Sequence, residues 1–135
     1  MKPALTFAIM DAPFENARTV TVFRLIQAAL EAGHDVNVFA YEGAVGLAFA
    51  RQAPHANAVH GRDATAENHP LPRVWIEELL KLAAKNGRKL DWVNCGLCVD
   101  ERGVSETIDG VRRGSPADFW KMSVESGNTL VIATR

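Results

Sequence analysis

The sequence predicts an α/β domain of three layers, with helices on both sides of a mainly parallel central sheet. Three observations lead there. Apolar residues alternate along the chain between short continuous runs and stripes of three- and four-residue spacing. The first run, stripe and second run are joined through a glycine turn, which makes a strand–helix–strand crossover. No repeat, low-complexity tract or linker breaks the alternation, so residues 1–135 read as one domain.

Taken in order, residues 4–10 form an apolar run closed by Asp11-Ala12-Pro13, a buried strand ended by a turn. Over residues 16–32, Ala17, Val20, Phe23, Ile26 and Leu30 make the stripe of an amphipathic helix, and Gly33 supplies the left-handed end. Residues 35–40 return to strand character, with Val36, Val38 and Ala40 on one face. Residues 41–50 read as a loop and a short apolar helix, and 51–71 as a long surface loop holding three of the four histidines. Pro72 fits the first position of a helix that runs to Asn86 and ends at Gly87, with Ile76, Leu79, Leu80 and Ala83 as its stripe. A third strand spans 89–94. Ser115-Pro116-Ala117-Asp118 is a capping box with proline at the first helical position, opening a helix that packs Phe119, Met122 and Val124. Residues 129–133 are the fourth strand. Trp75, Trp92, Trp120 and Met122 are best explained as core or interface packing.

Charge and hydropathy exclude several function classes. Lys plus Arg number 15 against 16 acidic residues, a formal charge of −1, so no global positive field serves nucleic acid or anionic membrane. The longest apolar runs, 5–10 and 44–50, fall far short of a membrane span. One lysine and a short apolar stretch closed by Asp11 make a poor secretory signal, and two cysteines suit reduced thiols in the cytoplasm. There is no GxSxG, HExxH or GxxxxGK[ST] motif to anchor a hydrolase or nucleotide-phosphate reading.

The chemistry gathers at Asn94-Cys95-Gly96-Leu97-Cys98. In such a sheet, ligands bind beyond the carboxyl ends of the strands. Cys95 is expected as the last strand residue or the first beyond it, with Cys98 one helical turn away and within reach. Gly96 permits a sharp turn and close approach of a reactant. A helix start favours the thiolate, so the expected direction is a lowered cysteine pKa, opposed by Asp100 and Glu101 and partly restored by Arg102. Such a thiolate attacks sulfur electrophiles. The plainer reading is that both are small buried hydrophobes. Cys95 and Cys98 with two of His55, His60 and His69 would supply four metal donors. A structural zinc site needs a second close-spaced pair, which the His55–His60 spacing does not give, so no metal and no cofactor is assigned. His55 or His60 folded over the site would serve as proton donor. Arg112-Arg113 reads either as a solvated pair or as recognition of an anionic partner.

These residues resemble the DsrE/DsrF-like family of sulfur-relay proteins, most closely its DsrE/TusD branch. The likeness runs from the strand 6–10, the Pro13 loop and Ala28-Ala29-Leu30-Glu31-Ala32-Gly33-His34-Asp35 through Val38-Phe39-Ala40-Tyr41-Glu42-Gly43. It is sharpest at Cys95 followed by Arg102-Gly103-Val104, and continues through Gly110-Val111-Arg112 to Leu130-Val131-Ile132. The resemblance implies a doubly wound DsrEFH-like fold and a cytoplasmic sulfurtransferase or sulfur carrier. It gives Cys95 the role of carrying sulfane sulfur, as a persulfide or thiosulfate-derived group, exchanged with a TusA-like carrier or another relay protein. It also implies a homo-oligomer, trimer or hexamer. Cys98 departs from the branch and is assigned as an auxiliary or resolving thiol. Two alternatives stand beside this: a dithiol/disulfide redox protein or sensor, and a non-catalytic assembly subunit.

Overall fold

The computed structural model describes residues 1–57, 61–132 and 134. Five strands, β1 (Leu5–Ile9), β2 (Val36–Ala40), β3 (Leu90–Cys95), β4 (Val111–Gly114) and β5 (Asn128–Ile132), form one parallel sheet in the order β4-β3-β2-β1-β5. Helices α1 (Arg18–Glu31), α2 (Pro72–Lys85), α3 (Gly96–Arg102) and α4 (Pro116–Glu125) join them, with a 3-10 helix at Glu42–Ala48. The sheet grows from β1 through β2 and β3 to β4, then α4 carries the chain back to the far side of β1. This three-layer, doubly wound arrangement is the expected fold class.

The two-residue period of each strand sorts its side chains into two cores. Phe7, Ile9, Val36, Val38, Leu90 and Trp92 face α1 and α2, where they meet Val22, Phe23, Ile26, Leu30, Ile76 and Leu79. Phe39, Val93 and Cys95 face the other way, toward Met122 and Phe119 of α4. Because both faces are covered, the strands carry apolar runs instead of clean alternation.

Local signals behave as expected at most ends. Gly33 takes φ +94° after α1, and Pro72 opens α2. Ahead of α4, the Asp118 carboxylate accepts the Ser115 N–H at 2.8 Å, and the Ser115 hydroxyl accepts from Ala117 N–H at 3.3 Å.

Three expectations are corrected. The four-strand reading omits β4, whose Val-Arg-Arg-Gly sequence has one apolar residue and no strand signature. As an edge strand it needs apolar contact on one side only, and its arginines are held by carboxylates of neighbouring elements. On α4, Met122 is buried and Phe119 half-buried, but Val124 points to solvent. Trp120 is 73% exposed, so it is not core, whereas Trp75, Trp92 and Met122 are. The predicted last strand residue, Ala133, lies outside the described residues.

Candidate functional site

Cys95 closes β3, and Gly96 begins α3 immediately after it. The strand's period puts Cys95 on the face of Val93, beneath α4, and one helical turn brings Cys98 back beside it. Both are free thiols, 6% and 7% exposed, and they lie side by side in one buried cluster. Around them pack Phe39, Val45, Val93, Val99 and Met122, with Tyr41, Val104 and Phe119 at the margin.

The loop after β2 completes the site. Glu42 sits at φ +51°, a left-handed conformation that costs about 1 kcal/mol or more for a non-glycine residue. There it donates its backbone N–H to Cys98 Sγ at 3.1 Å. Gly43 follows because a Cβ there would lie 2.7 Å from the Ala12 Cβ. The Glu42 carboxylate takes Arg102 Nη2 at 2.9 Å, tying this loop to the far end of α3. Gly103 then ends α3 at φ +63°. The spacing between Cys95 and the Arg102-Gly103 pair is thus the length of one short helix with its left-handed stop.

Burial decides the thiol chemistry of Cys98. Loss of solvation pushes its thiol above the ordinary cysteine range, partly offset by the Glu42 N–H, and the Cys95 thiol beside it adds to the rise. For Cys98 the expected lowering is therefore reversed. The expectation placed the thiol at an open helix start; in the fold the residue is enclosed by α4 and the 3-10 helix.

A cleft above β1 and β2 is lined by Met10, Asp11, Tyr41, Glu42 and Arg102 among others; neither cysteine lines it. Asp11, buried, accepts Arg18 Nε at 2.8 Å. Burial raises its carboxyl, but hydrogen bonds from Arg18, Thr134 and Asn16 outweigh that and hold it below the usual range.

The histidines lie elsewhere. His55 rests on Phe14 with ring centroids 5.5 Å apart, and His69 on Trp75 at 5.6 Å, both over the α1–α2 side. Neither reaches the cysteines as metal ligand or proton donor, because both rings pack on the opposite face of the sheet. His60 lies outside the described residues. Among the described residues no three His, Cys, Asp or Glu side chains converge on a metal position. Sequence reading missed Glu42 as a site residue; its signal was the Tyr-Glu-Gly turn directly after an apolar strand.

A doubly wound parallel sheet with two free thiols at the carboxyl end of an inner strand defines a small α/β protein. The chain belongs to the DsrE/DsrF-like family, whose model matches residues 4–131. Among solved structures it is similar to the ychN protein from E. coli, at 20% identity and a TM-score of 0.71. That match covers 98% of this chain and all of the other, and supports the fold. No curated protein matches the chain. No helix among the described residues is long and apolar enough to cross a membrane.

Proposed function

We propose that this protein is a sulfur-relay carrier working through Cys95, in the cytoplasm, with a TusA-like carrier or a related protein as its exchange partner. The observation that supports this best is the pair of free, adjacent thiols at the carboxyl end of β3 in a DsrE/DsrF-like chain. In the proposed step, the Cys95 thiolate attacks the sulfane sulfur of a donor. A new S–S bond forms, the donor's S–S bond breaks, and its electron pair leaves with the departing group. With thiosulfate the leaving group is sulfite; with a persulfide donor it is a thiolate. The Cys95 persulfide then gives its outer sulfur to a partner thiolate and returns to the thiol. Leu97, exposed between the two cysteines, offers that partner an apolar contact.

Burial of Cys98 suits this role. Its raised pKa keeps it protonated near neutrality, and a thiol is a poor nucleophile. A Cys95 persulfide beside it therefore survives long enough to be passed on. Apolar side chains left in solvent on α4 and β5, Trp120, Val124 and Val131, suit association of several copies.

The adjacent free thiols of Cys95 and Cys98 support a second reading, a dithiol/disulfide redox protein. Intact-mass analysis separates the two. After incubation with polysulfide or thiosulfate, wild type and Cys98→Ser gain the mass of a sulfur atom and Cys95→Ser does not. Loss of two hydrogens in wild type on mild oxidation, without sulfur uptake from any donor, favours the redox reading. Unmodified protein under all conditions favours a packed, non-catalytic pair.

A further inference from the structure

The two arginines of β4 are adjacent in sequence and different in circumstance. Arg112 grips Asp91 through Nε and Nη2 at 2.8 and 3.0 Å and also reaches Asp118 at 3.2 Å. Its charge is committed to joining β4 to β3 and α4. Arg113 holds one carboxylate, Asp100 of α3, through Nη1 and Nη2 at 2.8 and 2.6 Å. Both side chains are more than half exposed, at 57% and 58%. Both groups face solvent, so water can take over Asp100 when an anion competes for the guanidinium.

Its position is the informative part. Parallel pairing sets Arg113 opposite Asn94 and Gly114 opposite Cys95, so the Arg113 side chain leaves β4 on the face away from the Cys95 thiol and meets the cysteine turn from its backbone side. The guanidinium lies across the backbone of Gly96, the residue after Cys95. A Cβ on Gly96 would stand 2.6 Å from Arg113 Nε and 2.9 Å from Cζ. Any other residue at 96 drives the guanidinium away from the cysteine turn.

We propose that Arg113 is the specificity-determining residue of the cysteine site, selecting sulfur donors that carry an oxyanion next to the reacting sulfur–sulfur bond. The guanidinium leaves Asp100 for the donor's sulfonate or carboxylate, and the fork of N–H donors orients that group while Cys95 meets the sulfur. Asp100, already solvated, is released to water. The proposal rests on the reading of Cys95 as the reacting thiol. It adds which donors reach that thiol.

The test compares two disulfide probes that react by the same step: Cys95 thiolate attacks, a mixed disulfide forms and an aromatic thiolate departs. One probe is a dicarboxylate aromatic disulfide and the other is uncharged dipyridyl disulfide. A Cys98→Ser background leaves Cys95 as the one thiol. Arg113→Gln is expected to slow the anionic probe on the order of tenfold while the neutral probe changes less than about twofold. Gly96→Ala slows the anionic probe in the same sense, and Arg113→Lys recovers part of the rate. Asp100→Asn accelerates the anionic probe. Equal slowing of both probes, no change with either, or no reaction of Cys95 with either probe overturns the proposal. Thiosulfate loading separates the two claims. An Arg113-dependent preference for the anionic probe without sulfur uptake leaves Arg113 standing and removes the relay reading. Equal thiosulfate loading in wild type and Arg113→Gln does the reverse.

Discussion

Cys98 has its thiol raised by burial, and that direction has two consequences of opposite kind. For chemistry, its thiolate becomes available only above the ordinary cysteine range of about 8.5. Attack of that thiolate on the inner sulfur of a Cys95 persulfide would close a Cys95–Cys98 disulfide and expel hydrosulfide. The persulfide should therefore shorten in lifetime as pH rises in wild type, and lose that pH dependence in Cys98→Ser; trapping with an alkylating reagent over a pH series measures it. For stability, a raised folded pKa contributes fully below the unfolded value and is lost as pH rises through it toward the folded one. Asp11 has the opposite sign. Its lowered carboxyl stabilises above about pH 4 and that contribution disappears as pH falls through the folded value. Asp11→Asn should cost about 1–3 kcal/mol at neutral pH, because Arg18 loses its charged partner, and much less in acid. Denaturant unfolding at both pH values checks it. Both cysteines were legible in the sequence as a spacing at a strand end. Their enclosure was not, since it depends on Met122, Phe119 and Val45, which arrive from α4 and the 3-10 helix.

At the scale of elements, α3 is the piece the site depends on, and it is short. Its seven residues are held by Gly103 at the end, by Arg102 to Glu42, and by Asp100 to Arg113. Each contact reaches a different neighbouring segment, so the cysteine turn is positioned by its surroundings more than by its own helical propensity. For α4 the start is encoded locally. Ser115→Ala removes the hydroxyl that caps the helix and should cost about 1 kcal/mol in unfolding free energy. The depressed Asp118 carboxyl, which accepts the Ser115 N–H first and Arg112 second, adds stability above about pH 4 that fades in acid. The capping box, the proline start of α2 and the glycine ends were readable because they act within a few residues. Strand β4 was not: Arg112 and Arg113 look like a solvated pair until the register with β3 sets them against Asp91 and Asp100.

Across the whole molecule, two cores share one sheet and do different work. The α1–α2 side is large and contains Trp92, which is fully buried; Trp92→Ala should cost about 3–5 kcal/mol, read as a lowered denaturation midpoint. The α4 side is smaller and holds the thiols, with Trp120 and Val124 turned outward. An apolar spacing on a helix tells which residues share a face, and leaves open whether that face meets the sheet or another copy of the chain. Trp120→Asp is expected to shift sedimentation toward the monomer while leaving the circular dichroism spectrum unchanged, if copies associate through α4 as proposed. The alternation of runs and stripes made the fold class legible at this scale. The histidine loop was not, because nothing in its sequence says that His55 and His69 pack over α1 and α2, remote from the cysteines. Every step of the proposed relay passes through Cys95 as the residue that bears the transferred sulfur. Peptide mass mapping after polysulfide treatment and alkylation tests it most directly. An alkylated persulfide is expected on the peptide carrying Cys95, retained in Cys98→Ser and absent in Cys95→Ser. A persulfide found on Cys98 alone, or none on either cysteine, would contradict it.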